Sequence, residues 1–294
     1  MLNITAEEKK TLKGRGIILS RDGETFVARI ITEDGTLTSE QLEAMAEAAR
    51  RFGSGSAALT VRMTMEIQGI SYENIEPMCQ FLAPYGLYTG GTGPKIRPIV
   101  PCKGTVCTHG LIDTQGLARE LHQKFYLGWH DVTLPHKFKI GIGGCPNNCI
   151  KPGLNDFGIM GQRVPKYDPE KCKACGKCNV AATCPMKICA KGEDGKMVCQ
   201  REKCTNCGKC IDACPFGAVE EVTVGYKILL GGIWGKRQRL ATPLEGVYTK
   251  EQVVSILEKT LTLWKEQGAA GERFGLFLER TGVENFTKQL LEDK

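Results

Sequence analysis

No stretch of this 294-residue chain is apolar over the roughly 18 residues that span a bilayer. The opening MLNITAEEKK also lacks the apolar core of a signal peptide. Both absences make a cytoplasmic protein the expectation, with no membrane partner. Neither sign of charge dominates. The net value of +6 is enough to attract a small anion or an acidic electron donor, and too weak to argue for nucleic acid. A nucleotide site is missing as well. The glycine-rich run TGGTGPKIRPIV from Thr89 matches neither a dinucleotide fingerprint nor a phosphate loop, so NADH or a flavin would have to act through a partner. The apolar fraction of 41% is enough for ordinary packed cores, and the length suggests about two domains.

What the chain has in excess is cysteine, 15 residues in all. In a reducing compartment that number points to metal rather than to disulfides. Twelve fall into three sets of four, leaving Cys79, Cys189 and Cys199, which read as buried or partly buried thiols. One set brackets the stretch LPHKFKIGIGGCPNNC from Leu134 to Cys149. Gly143 and Gly144 let backbone approach something bulky. Pro146, Asn147 and Asn148 make a turn that aims Cys145 and Cys149 the same way. Cys102 and Cys107 join them from PCKGTVC upstream. Four thiolates from two loops suit an iron–sulfur cluster, although spacing alone leaves zinc open. The run Lys137 to Ile142 alternates like a strand, which puts Lys137 and Lys139 on one face.

GGCPNNC, with LPHKFK before it and a cysteine pair upstream, resembles the sulfite/nitrite reductases that join siroheme to a 4Fe-4S cluster. The resemblance covers nearly the whole chain and is closer still to the short, one-repeat members, such as the siroheme subunit of anaerobic sulfite reductases. It implies an α+β fold: a ferredoxin-like half-domain without a cluster over residues 1–75, and a siroheme/4Fe-4S reductase domain over 76–164 and 223–294. It also implies cluster ligands at Cys102, Cys107, Cys145 and Cys149, with Cys149 bridging to the siroheme iron. The pair Cys102 and Cys107 is separated by four residues where many members have five.

The segments in order fit that reading. Ile17–Leu19 and Phe26–Ile31 read as strands around the turn Asp22-Gly23. Thr38 with Gln41 forms a capping box for a helix that stops at Gly53. A strand through Ala58 to Ile67 contains LTVRMTMEIQGI, which resembles the family's substrate-side strand. That match makes Arg62 an anion-site and cofactor-side residue, with Met63 where many relatives have glutamine. Residues 71–86 read as a helix. The glycines at 90, 91 and 93 suggest a loop close to a ligand. Arg97 matches the family's second anion-side arginine, and Lys95 is a weaker candidate. Asp113 or Thr114 caps the next helix, in which His122 reads as structural. His136 precedes the two lysines and matches a siroheme carboxylate contact. After the second and third cysteine sets, Gly231 and Gly232 could approach a cofactor. Thr249 with Gln252 caps one helix, and another follows Thr281 and Glu284.

Between residues 165 and 222 the composition changes. Cys204, Cys207, Cys210 and Cys214-Pro215 follow the CxxCxxCxxxCP pattern of bacterial two-cluster ferredoxins, and Cys172, Cys175, Cys178 and Cys184-Pro185 repeat it with two extra residues. In that fold the fourth cysteine serves the other cluster. The resemblance therefore implies Cys172, Cys175 and Cys178 with Cys214, and Cys204, Cys207 and Cys210 with Cys184.

Together these resemblances imply siroheme, three 4Fe-4S clusters and a six-electron reduction of sulfite to sulfide, with nitrite to ammonia as the alternative. Electrons would come from an external ferredoxin or a flavin/iron–sulfur partner subunit. Arg62, Arg97, Lys137 and Lys139 would hold the anion and protonate its leaving oxygens. An electron-transfer subunit with a silent substrate site is the competing reading. A single copy of the repeat further implies a homodimer or higher homo-oligomer, in which each chain completes the other's pocket.

Overall fold

The structure, a computed structural model, describes residues 4–292; Met1 to Asn3 of the opening segment read for a signal peptide lie outside the described residues. Among the described residues no helix is long and apolar enough to cross a membrane. The first layer begins with α1 (Ala6–Gly14), β1 (Ile17–Leu19), β2 (Phe26–Ile30) and α2 (Ser39–Phe52), whose N-terminus is closed by the Thr38–Gln41 capping box. Next come β3 (Ala57–Leu59), β4 (Met65–Ile70) and α3 (Ile75–Leu82). The four strands form an antiparallel sheet in the order β1-β2-β4-β3. Its apolar face packs Phe26, Ala28 and Ile67 against Met45, Ala48, Met78 and Leu82 of the two helices.

The strand expected through Ala58 to Ile67 is instead a hairpin. β3 pairs with β4 from Ala57↔Ile67 to Leu59↔Met65, and residues 60–64 turn the chain between them. Thr60 and Thr64 close the turn by a backbone bond of 2.9 Å and a hydroxyl contact of 2.6 Å, and Met63 takes a left-handed φ of 55°. Arg62 therefore stands at a hairpin tip and not on a strand face.

The second sheet is built from β5 (Val100–Pro101), then, after α4 (Thr114–Leu121), from β6 (Ile140–Gly143) and β7 (Phe157–Tyr167). The cysteine-rich insert contributes α5 (Asn179–Thr183) and a small pair, β8 (Cys189–Lys191) and β9 (Met197–Cys199). The chain returns along β10 (Val219–Leu230) and β11 (Thr242–Pro243) and ends in α6 (Lys250–Gln267), α7 (Phe274–Thr281) and α8 (Val283–Leu291). Strand order is β11-β10-β7-β6-β5, with β5, β6 and β7 mutually parallel. β6 is buried at all four residues, so its sequence reads as a continuous apolar run rather than an alternation. It starts at Ile140, and Lys137 to Lys139 form an extended lead-in anchored by a Phe138–Ile96 bridge.

β7 and β10 form a long antiparallel ribbon from Phe157↔Leu230 to Tyr167↔Val219. The insert hangs from its far end. Its own core is small, made of Val180, Cys189, Met197 and Val219 with cysteines packed around them. Cys189 and Cys199, expected as thiols, are joined by a disulfide, because the β8–β9 register sets them directly opposite each other. The helix α7 was not expected. The last helix, α8, follows Thr281 as expected but starts at Val283, so Glu284 lies in its first turn, and the Thr281 hydroxyl donates to Phe277 O in the last turn of α7. The glycines at 90, 91, 231 and 232 press on the chain itself. A Cβ at Gly232 would lie 2.5 Å from the carbonyls of Gly153 and Asn155, and one at Gly90 would lie 2.6 Å from the Tyr126 hydroxyl.

Candidate active site

The parallel trio β5–β6–β7 has two unlike ends. At the carboxyl end, Cys102 follows β5, and Cys145 and Cys149 follow β6. The Cys102 N–H donates to Ile142 O at 2.8 Å, and the Gly144 N–H points at Cys102 Sγ at 3.1 Å. A Cβ on Gly144 would come within 2.8 Å of Gly104 Cα, so only glycine lets the two cysteine loops meet. Thr114, at the start of α4, donates to Cys102 O at 2.6 Å and holds the first loop down. Burial pushes the Cys145 thiol up. The Asn147 backbone N–H opposes this, while Cys102, Cys149 and Cys107 push it further.

The amino end of the trio gathers cations. From the hairpin tip, Arg62 donates to Pro98 O at 3.0 and 2.5 Å, to Ile140 O at 3.0 Å and to Asn155 Oδ1 at 3.1 Å. One side chain thus ties the first layer to the lead-ins of all three parallel strands. Arg97 is pinned by its N–H to Phe138 O at 2.8 Å and donates through Nη1 to Gly91 O, while its buried Nε has no acceptor. Phe138 is fully buried against Trp264 and Phe274, and it anchors Lys137 and Lys139 on either side. His136 Nδ1 accepts the Lys137 N–H at 2.7 Å.

Crowding of like charges is visible in every one of these groups. Burial lowers Lys139 to about 8, with Arg62 and Arg273 adding to the effect. Arg62 and Arg97 are each lowered to about 10, chiefly by burial. Lys137 and His136 are lowered by burial and then by Arg273. Sequence reasoning missed Arg273, Asp156, Asn155 and Arg29. Arg29 is paired with Glu66 at 2.6 Å and also donates to Gly91 O. Arg273 immediately precedes α7, a helix whose existence was itself not read. The one available signal was Asp156, a carboxylate placed directly before the apolar strand FGIMG.

In the insert, Cys172, Cys175, Cys178 and Cys214 line one cavity, while Cys184, Cys204, Cys207 and Cys210 line another. The fourth cysteine of each motif therefore sits with the other motif's three. Burial raises the Cys210 thiol, and Cys204, Cys207 and Cys184 raise it further. A third cavity, at the carboxyl end of the trio, is walled by Cys145, Asn147 and His109 on one side and by Cys207 and Asp212 on the other. Arg163 of β7 crosses that seam. Its N–H donates to Asn206 O at 2.8 Å, and its guanidinium pairs with Asp212 and Glu221, both at 2.5 Å. His122 is structural: it is fully buried, lowered to about 4 by burial, and bonded to the Tyr88 hydroxyl at 2.6 Å.

Fold and site together define a cysteine-rich α+β scaffold with thiols at one end of a parallel trio and cations at the other. Residues 92–294 match the family described as the nitrite and sulphite reductase 4Fe-4S domain, and residues 18–85 match the nitrite/sulfite reductase ferredoxin-like half domain. The chain belongs to this nitrite and sulfite reductase family. It is 32% identical over 285 residues to the coenzyme F420-dependent sulfite reductase of Methanocaldococcus jannaschii, a match covering 94% of this chain and 44% of that protein. It is 28% identical over 191 residues to one of the subunits of the anaerobic sulfite reductase of Salmonella typhimurium, covering 60% of this chain and 55% of the relative. The chain thus spans about half the length of these two relatives. Among solved structures it superposes on dissimilatory sulfite reductase I with a TM-score of 0.73 at 22% identity, covering 92% of this chain and 70% of that one, which shows a shared fold.

Proposed function

We propose that this chain is the siroheme-bearing part of a reductase that takes sulfite to sulfide by six electrons, with nitrite to ammonia as the alternative at the same site. The observation that carries the reading is the cation cluster of Arg62, Arg97, Lys137 and Lys139. A pure electron relay has no use for four cations crowded together. The residues fit the implied groups. Arg97 Nε and Arg273 Nε are buried N–H donors without acceptors, and a macrocycle edged with carboxylates, or a bound oxyanion, supplies acceptors. Siroheme, when bound, supplies an iron that takes the anion through sulfur or nitrogen and passes electrons to it. The chain's own residues do the rest. Arg62 and Arg97 present fixed charge to the anion oxygens. Lys139, lowered to about 8, readily donates a proton to a leaving oxygen. His136 stands beside them as a contact for a cofactor carboxylate.

The three thiol sets would hold three 4Fe-4S clusters, and their placement supports an order for the relay. The set with Cys207 shares a cavity wall with Cys145, so it would be proximal to the core. The set of Cys172, Cys175, Cys178 and Cys214 would be distal and would receive electrons from an external ferredoxin or a flavin/iron–sulfur partner.

The two-ended layout supports a homodimer. Lys139 immediately precedes β6 and Gly144 immediately follows it. Five extended steps at about 3.3 Å separate them by roughly 16 Å. The thiol end and the cation end of one chain therefore point away from each other, and a second copy would bring Cys149 to the partner's cations.

Anaerobic turnover with a strong artificial donor, comparing sulfite with nitrite, tests the function. The expected result is product release with an anion-dependent shift of the visible bands. Broad iron–sulfur absorption without turnover would favour a relay subunit instead. Mixing an inactive Cys149 variant with an inactive Lys139 variant tests the shared pocket. Recovered activity supports the dimer, and a fully active monomer would refute it.

A further inference from the structure

Cations crowded into a partly buried pocket repel one another and stay together only if something negative holds them. Around Lys139 the charged groups are Arg62 from the hairpin tip, Arg273 from the start of α7, Lys137 from its own segment, and Asp156 from the lead-in to β7. Asp156 is the negative one. Its carboxylate is fully buried. Oδ2 accepts the backbone N–H of Lys139 at 2.9 Å, and Arg273 Nη2 donates to Oδ1 and Oδ2 at 2.9 and 3.0 Å. The Phe157 N–H returns to Lys139 O at 3.0 Å, so the lysine backbone is clamped from both sides by the consecutive residues Asp156 and Phe157 at the start of β7. The preceding residue, Asn155, accepts from Arg62 Nη1. The nearby carboxylate Glu66 is already occupied by Arg29.

From this arrangement we infer that Asp156, held by Arg273, is the positioning residue of the anion pocket: it fixes the Lys139 backbone and supplies the counter-charge that keeps the cation set together. The inference rests on the proposed reading of these cations as the site that holds the substrate anion. Burial raises Asp156, and the Arg273 guanidinium and the Lys139 N–H pull it back. Its charge reaches all four cations, since it favours the protonated form of Arg62, Arg97, Lys137 and Lys139 alike. Arg273 disfavours the Lys139 ammonium in two ways. It repels the ammonium directly, and it draws on the same carboxylate.

Two variants give opposite signs. Asp156→Asn keeps the shape and removes the counter-charge, so Lys139 should lose its proton at a lower pH, by about one unit. Arg273→Gln removes a repelling cation and frees Asp156, so Lys139 should hold its proton to a higher pH. The first readout is the pH dependence of Lys139 acylation by an amine-reactive reagent, followed by mass spectrometry, in cofactor-free and loaded protein, with Glu258→Gln as a distant control. The second readout is the alkaline limb of sulfite turnover, together with KM and kcat separately. Acylation midpoints moving in opposite directions in the two variants support the inference, because a purely structural defect would move both the same way. A folded Asp156→Asn protein with an unmoved midpoint overturns it, as does a shift of equal sign in both variants. Should Asp156→Asn fail to fold, a downward or unmoved midpoint in Arg273→Gln overturns it. Midpoints that move as expected while the turnover profile stays fixed support the charge balance and instead overturn the reading of the pocket as the anion site.

Discussion

At the carboxyl end of β5 and β6, four cysteines arrive on two short loops, which touch because Gly144 and Gly104 carry no side chain. At the amino end of the same strands, Arg62, Arg97, Lys137 and Lys139 arrive from a hairpin tip and two lead-in segments. They are gathered by Pro98 O, Ile140 O, Asn155 and Asp156. The thiol end is local within each loop: ligand types, spacing and turn residues sit within a few positions of one another. The cation end is largely non-local: Arg62 is held by Pro98, Ile140 and Asn155 and Lys139 by Asp156, all from other segments, while Arg97 also bonds Gly91 O within its own loop. A metal centre tolerates short loops because bound metal itself completes the geometry. On the proposed reading, an anion pocket has to be held in place before the anion arrives, so its supports come from the whole sheet and from the start of α7.

The sharpest way to break the comparison is at the thiol end. On the proposed reading, which puts three such clusters and one further iron, about 13 iron atoms, in each chain, Cys149→Ser should abolish turnover and lower the iron content while the ferredoxin-type absorption of the insert persists. Zinc in place of iron after anaerobic purification would remove the cluster assignment altogether. At the cation end the expected loss is smaller. Lys139→Ala should cost roughly 10²–10³-fold in turnover with the visible spectrum intact, and wild-type turnover should fall as pH rises through about 8, where Lys139 loses its proton. Arg62→Ala should add a loss of thermal stability of about 3 kcal/mol, because it strands the Pro98 and Ile140 carbonyls. A melting temperature equal to wild type would mean that the hairpin docks without it.

Between the thiol end and the insert, Arg163→Ala should slow electron transfer into the core several-fold, read by stopped-flow reduction of the core absorption, with little change in steady binding of the anion. Its ion pairs to Asp212 and Glu221 are largely exposed on the acidic side, so overall stability should change by less than about 1 kcal/mol. The smallest effect on either end belongs to the Cys189–Cys199 disulfide. Converting both to serine should destabilise only the insert, by no more than about 3 kcal/mol for so short a loop, and leave the iron content unchanged. Iron loss in that variant would make the pair part of a cluster site.

Much of the thiol end was legible because cysteine spacing is chemistry written along the chain. The sets around Cys145, Cys175 and Cys207 are recognisable without any tertiary knowledge, and so are the capping boxes at Thr38 and Thr249. The hairpin at Thr60 to Thr64 was not legible, since its residues are as β-prone as the strands on either side, and only the closing contacts of the two threonines make the turn. The helix α7 was missed because no capping side chain marks its start.

The sequence by itself determined which atoms are available: twelve grouped thiols, two lysines around a buried phenylalanine, two arginines, and the family to which their order belongs. Tertiary structure alone decided where the charges sit, that Cys207 and Cys145 line one cavity, and that Asp156 and Arg273 stand among the cations, whereas the seating of Cys184 and Cys214 with the other motif's three cysteines was already implied by the ferredoxin resemblance. The physical reason is range. Ligand spacing and capping act over a few residues and leave a mark in the order of the chain. Electrostatic balance acts through space, between residues such as Arg62 and Asn155 that are 93 positions apart, and leaves no local pattern to read.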